Sequence, residues 1–120
     1  MSSDHSDTNS SYGDIYQFID AAGKGDENTV LSLLLTSKVN INDTDVYGFT
    51  ALMNAVAYNH KEVVSLLIDK GADINMNNKY DGDTAFIYAV NNGYENIVSL
   101  LLDKGADINI KDRVSIIAVR

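Results

Sequence analysis

The chain has 120 residues, a length that fits one domain, and its 45% hydrophobic content is enough to build a packed core. Nine Lys and Arg against seventeen Asp and Glu leave a net charge of −8 with no basic stripe, which argues against nucleic acid and anionic membrane as partners. Cysteine is absent, so neither a disulfide framework nor a thiolate metal site can form.

Residues 1–13, MSSDHSDTNSSYG, are polar and acidic and contain no apolar run. They lack the pattern of a signal or transit peptide and are expected to be a disordered acidic tail. No apolar stretch approaches the roughly 20 residues that span a bilayer. The expectation is a soluble, cytoplasmic protein, with delivery into a host cell as a variant of that setting.

From residue 14 onward the chain repeats itself. Laying residues 45–78 over 79–112 gives 16 identities in 34 positions without a gap, including LLIDKGADIN at Leu66–Asn75 against LLLDKGADIN at Leu100–Asn109. Such self-similarity is the signature of a repeat architecture. A weaker copy over 14–44 sets Ala21, Val30, Leu33 and Leu34 under Ala55, Val64, Leu67 and Ile68. There Asp26 is placed to cap the second helix, Asp14 and Tyr16 hold the places of Gly48 and Thr50, and the loop glycine is missing.

Each full unit has the same grammar. Thr50 precedes the apolar run Ala51, Leu52, Met53, Ala55 and Val56 and is a natural helix N-cap. After a break at Tyr58 and Asn59, the segment from His60 to Lys70 puts Val63, Val64, Leu67 and Ile68 on one face. Gly71 then ends the helix. The copy offers Gly82, cap Thr84, a helix over Ala85–Asn91, a break at Asn92 and Gly93, a helix over Tyr94–Lys104 and a stop at Gly105. Helices of about eight to ten residues fall below the roughly 12 to 15 at which an isolated helix is even marginal in water. Stacked units would bury a continuous core, which is the logic of a solenoid, and Ala21, Ala55 and Ala89 would let neighbouring pairs approach closely. Residues 113–120, with the run Val114 to Val119, have no Gly or Thr in register and are expected to be a tail or an incomplete cap. That run would either fold over the end of the stack or offer an apolar patch to another chain.

The pattern Gly48-x-Thr50-Ala51-Leu52, Ala55, Val63-Val64-x-Leu66-Leu67 and Gly71-Ala72-Asp73-Ile74-Asn75, repeated once more, resembles the ankyrin repeat. The resemblance covers residues 14–112. It implies an all-α solenoid of about three helix-turn-helix units, near 14–44, 45–78 and 79–112, joined by hairpin-like loops that project from the helix pairs. Two departures stand out. The family's Thr-Pro-Leu-His tetrad is Thr50-Ala-Leu-Met53 here and Thr84-Ala-Phe-Ile87 in the copy, so the Pro and the Thr-bonding His are missing and some rigidity should be lost. The spacing is one residue longer than the family's usual repeat, and the insertion is expected in the loop between Gly71 and Gly82.

No catalytic constellation emerges. Asp73-x-Asn75-x-Asn77 starts like a calcium loop, but Asn78 stands where Gly is needed and Thr84 where a bidentate Glu is needed, so turn chemistry is expected instead. His5 and His60 have no nucleophile or metal partner at motif spacing. Gly23-Lys24-Gly25-Asp26 is too short for a phosphate loop. A non-enzymatic protein without cofactor or metal is expected.

What the resemblance implies instead is recognition of another protein through loop tips and the concave face of the first helices. Carried over by position, the contact residues are Val46, Tyr47, Phe49, Asn54 and Tyr58 in one unit and Tyr80, Asp81, Asp83, Tyr88, Asn91 and Asn92 in the next. Such a surface suits a partner with a basic rim and an apolar centre. The alternative is an assembly element, either self-associating weakly through its C-terminal end or belonging to a longer array.

Overall fold

The computed structural model describes residues 2–108. In chain order its helices are α1 (Ser2–Lys24), α2 (Glu27–Thr36), α3 (Ala51–Ala57), α4 (Lys61–Asp69), α5 (Ala85–Asn92) and α6 (Glu95–Asp103), and no strand occurs among the described residues. They form three antiparallel pairs. Helices α1, α3 and α5 pack side by side as an inner row, and α2, α4 and α6 as an outer row. The seam between the rows is the core: Phe18, Ile19 and Val30 from the first pair, Leu52, Val56, Val63, Val64 and Leu67 from the second, and Phe86, Ile87, Ile97 and Leu101 from the third are all buried. Ala21, Ala55 and Ala89 are buried along the inner row, where a larger side chain would push the pairs apart.

Local signals place the helix ends. Thr50 accepts the Met53 amide at 3.1 Å and Thr84 accepts the Ile87 amide at 3.3 Å, so both threonines act as N-caps. Asp26 caps α2 through the Thr29 amide and hydroxyl. The three breaks within pairs fall at Gly25, Asn59 and Gly93, each left-handed with φ of 75°, 66° and 73°. Asparagine is among the few residues that tolerate that conformation, so Asn59 can stand where its neighbours use glycine.

Several structural details differ from what the residue pattern suggests. The polar segment expected to be irregular over residues 1–13 is helical from Ser2 and continuous with α1. Packing of Ile15, Phe18 and Ile19 holds the C-terminal half of α1, and once a helix is nucleated each further residue adds a hydrogen bond. No Gly or Pro interrupts Ser2–Tyr12. The glycine missing from the first unit is replaced by Ser37, whose hydroxyl donates to the Leu33 carbonyl at 2.7 Å and accepts the Val39 amide at 3.2 Å. The missing histidine of the second unit is partly replaced by Met53, whose sulfur accepts the Thr50 amide at 3.5 Å. Ile87 in the third unit has no such acceptor. Residues 109–120, including the expected tail or cap, lie outside the described residues.

The extra residue lies where it was expected. The loop before α3 closes with Asp45 N–H donating to Phe49 C=O at 3.0 Å, and the loop before α5 with Asn78 N–H donating to Asp83 C=O at 2.8 Å, one residue longer. Between units the loops are tied by asparagines. Asn42 Oδ1 accepts the Asp73 amide and Asn75 Oδ1 the Asp107 amide, both at 2.8 Å. Asp73 Oδ1 also accepts the Asn75 amide at 3.0 Å, so the calcium-like triplet is occupied by its own turn.

Gly48 and Gly82 make a matched pair, with φ of 79° and 77°, but only at Gly48 would a Cβ meet a neighbour, Asn78 Oδ1, at 2.6 Å. Replacing Gly82 by Ala should cost about 1–2 kcal/mol from the left-handed backbone alone. Gly48→Ala should cost about 1 kcal/mol or more beyond that, because it also displaces a buried hydrogen-bonding amide. Urea unfolding of the two variants measures the difference, and equal losses would show that the contact between the loops contributes nothing.

Candidate functional site

The loop tips are rigid because each one hydrogen-bonds to itself. Asp45 Oδ1 accepts the amides of Tyr47 and Phe49 at 2.9 and 3.0 Å. In the next loop Asn78 Oδ1 accepts the Tyr80 amide at 2.8 Å, and Asp81 Oδ1 accepts the Asp83 amide at 2.9 Å. Asn78 is buried and also donates Nδ2 to the Tyr47 carbonyl at 3.0 Å, bolting one tip to the next. With its backbone fixed in this way, a tip holds its side chains outward at little further entropic cost.

Ten of the eleven expected contact residues separate into two groups, and the eleventh, Asn54, is half-buried. Phe49, Tyr88 and Asp81 engage one another: the Phe49 and Tyr88 rings stack at 5.3 Å and 12°, and the Tyr88 hydroxyl donates to the Asp81 carboxylate at 2.9 and 3.1 Å. Phe49, Asp83 and Tyr88 are half-buried. Val46, Tyr47, Tyr58 and Tyr80 are instead open to solvent, with 57, 72, 63 and 67% of their surfaces exposed, and Asn91 and Asn92 are exposed as well. Lys79 Nζ sits 5.2 Å from the centre of the Tyr80 ring.

A groove of about 390 Å³ runs between the first loop tip and the inner helices, lined by Asp45, Tyr47, Phe49, Asn54, Ala57, Tyr58 and Asn92. Five of the expected residues line it, namely Tyr47, Phe49, Asn54, Tyr58 and Asn92. The other six do not: Val46, Tyr80, Asp81, Asp83, Tyr88 and Asn91. Asn54 is fixed by donating Nδ2 to the Ile19 carbonyl of α1 at 3.0 Å, a reach across units for which the close approach of Gly23 leaves room. Asp45 and Ala57 were missing from the sequence expectation. Asp45 carries a signal, an Asp before a Gly-containing turn, but it is the same signal that a purely structural turn gives. Ala57 carries none, because its side is set by the crossing of α3 with its neighbours.

His60 is structural in this setting: a Cβ at Gly25 would lie 2.7 Å from its ring, so imidazole and glycine pack face to face. No group of three or more His, Asp or Glu able to hold a metal occurs among the described residues, and none of their helices is long and apolar enough to cross a membrane.

Comparison with known proteins finds the same repetition. A family model described as ankyrin repeats, in three copies, matches residues 18–112. Over 65 residues the chain is 34% identical to an ankyrin repeat protein of fowlpox virus, covering 54% of this chain and 16% of that one. Another 65-residue match is 38% identical to the NAD-capped RNA hydrolase NUDT12 of Homo sapiens, covering 54% and 14%. A third is 42% identical over 59 residues to ankyrin repeat domain-containing protein 29 of Danio rerio, covering 49% and 20%. The chain thus spans a fifth or less of the length of these relatives.

Burial, then the hydrogen bond to Asp81 and the charges of Asp81 and Asp83, raise the Tyr88 phenol above its ordinary pKa. A phenol whose folded pKa exceeds its unfolded value, about 10, contributes stability that is full below pH 10 and lost as pH rises above it. Tyr88→Phe should therefore lose less stability than the wild type between about pH 9 and 11. Urea midpoints at both pH values test this, and parallel losses would mean that Tyr88 does not carry the linkage.

Proposed function

Because the chain belongs to the ankyrin repeat family, whose repeats generally serve as protein–protein interaction modules and are generally non-catalytic, we propose that it is a non-enzymatic module binding another protein across the loop tips and the concave inner-helix face. The observation that carries this reading is the set of solvent-open tyrosines, Tyr47, Tyr58 and Tyr80, on a framework whose own hydrogen bonds are already satisfied. A tyrosine offers a large apolar body with a polar tip and few rotors to freeze, which is why it is enriched at binding hot spots. The partner's rim is basic in this proposal, since Asp45, Asp81 and Asp83 lie along the tips. The setting is the cytoplasm, and likeness to a fowlpox virus protein supports a host cell as one such cytoplasm.

A second reading, end-to-end self-association, has one observation behind it. Val56 and Val64 are fully buried in the middle pair, whereas Val90 and Val98 at the same places in the third pair are only partly covered, and Leu102 is 45% exposed. Sedimentation over a wide concentration range separates the readings, because self-association makes the mass rise with concentration.

For the concave surface, Tyr47→Ala and Tyr58→Ala should each weaken binding of a captured partner about thirtyfold, as hot-spot truncations do. Glu62→Ala, on the exposed outer helix α4, should change affinity by less than about twofold. The tyrosine variants should keep the wild-type thermal midpoint within a few degrees, since exposed side chains contribute little to the stack. Calorimetry with the partner and a thermal melt measure both. A partner that depends on Glu62 and ignores the tyrosines would put the contact on the opposite face.

A further inference from the structure

The groove is rich in unspent hydrogen-bond acceptors. Asn54 has given Nδ2 to the Ile19 carbonyl and Asn92 has given Nδ2 to the Tyr88 carbonyl at 2.8 Å, so each amide keeps its oxygen in reserve. Because an amide oxygen could not bond a carbonyl, these two orientations are fixed by chemistry. Asp45 takes the Tyr47 and Phe49 amides on Oδ1 alone. Among the described residues, nothing donates to Asp45 Oδ2, Asn54 Oδ1 or Asn92 Oδ1. Each amide also keeps its second Nδ2 hydrogen, so the lining side chains, tyrosine hydroxyls apart, offer three unpartnered acceptor atoms against two spare amide hydrogens. No Lys or Arg lines it, Asp45 brings a negative charge, and the chain as a whole carries −8.

Acceptors set beside aromatic faces and one carboxylate are complementary to a flat cation that carries donors and no acceptor. Among protein side chains that description fits arginine, whose guanidinium has five N–H donors in a plane and stacks on aromatic rings. Lysine fits less well, as a compact point charge with three donors and no face to stack. A volume of about 390 Å³ is within the range of ligand pockets and leaves space for the arginine stem beside its head.

Resting on the concave-surface reading above, we propose that the groove receives an arginine side chain from the partner. The guanidinium lies against the Tyr47 or Tyr58 ring and gives its donors to Asp45 Oδ2 and to the free amide oxygens of Asn54 and Asn92. The basic character of the partner is thereby placed at one position inside the contact as well as around its rim.

The test uses the full chain, isotope-labelled for NMR, and three blocked amino acids as probes: N-acetyl-arginine methylamide and its lysine and citrulline counterparts. Citrulline keeps the shape of arginine and loses its charge. The arginine probe should give saturable shifts at the Asn54 and Asn92 side-chain amides and at the Tyr47 and Phe49 backbone amides. The lysine probe should bind several-fold more weakly, and citrulline should leave those signals in place. Asp45→Asn retains an oxygen for the turn amides and should reduce arginine affinity about tenfold, as loss of one charge-assisted hydrogen bond does. Tyr58→Leu, at an exposed ring outside the core, should reduce it several-fold. Citrulline binding as well as arginine, shifts confined to other surfaces, or no saturation would each overturn the proposal. If those occur while Tyr47→Ala still weakens the captured partner, the arginine assignment fails and the concave surface stands. Partner affinity indifferent to Tyr47→Ala would overturn both.

Discussion

Everything in this structure depends on the fact that five of its six described helices are too short to stand alone. Helices of seven to ten residues, as α2 to α6 are, bury too little surface and close too few hydrogen bonds to persist in water. Each is held by the pair beside it. The buried positions make this concrete: Val56 and Val64 are fully buried in the second pair, whose helices pack against both neighbouring pairs. A single unit removed from the stack would expose those side chains and lose the reason for its own geometry. Stability in such an array is shared between neighbours, so the junctions matter as much as the units.

The junctions use two kinds of interaction. Apolar burial between rows supplies most of the attraction but is non-directional, and by itself would allow neighbouring pairs to slide. Direction comes from a few asparagines that reach across units: Asn42 to the Asp73 amide, Asn75 to the Asp107 amide, Asn78 to the Tyr47 carbonyl and Asn54 to the Ile19 carbonyl. These bonds fix the register of one loop against the next. They also explain why the recurring motif ends in asparagine: in Gly-Ala-Asp-Ile-Asn the aspartate closes its own turn and the asparagine engages the following copy.

The same economy shapes the loop tips. Because backbone groups at the tips are satisfied by Asp45, Asn78 and Asp81, outward side chains need not fold back to cover them, and Tyr47 and Tyr80 remain open. Tyr88 shows the contrary case. It takes the place that Asn54 holds one unit earlier, but its ring stacks on Phe49 and its hydroxyl goes to Asp81, so it braces the surface from beneath. An aromatic at an expected contact position is thus open to solvent or a brace depending on what its neighbour offers.

Much of this was legible in the linear sequence, and for a physical reason. Helix caps, stops and apolar stripes are local: Thr50, Thr84 and Asp26 bond amides three residues away, and the apolar period follows from 3.6 residues per turn. Repetition at a fixed spacing then implied stacking, since no unit could bury its face alone. The placement of the extra residue in the loop followed from the same register. What only tertiary structure decided are relations between residues some 30 or more apart. The sulfur of Met53 standing in for a histidine is a local substitution that spacing alone did not reveal, but the reach of Asn54 to Ile19, the burial of Asn78, and the division of the aromatics into open Tyr47, Tyr58 and Tyr80 and braced Phe49 and Tyr88 all depend on how one unit is turned against the next. That turn is set by packing of whole helix faces, which no short window of sequence contains.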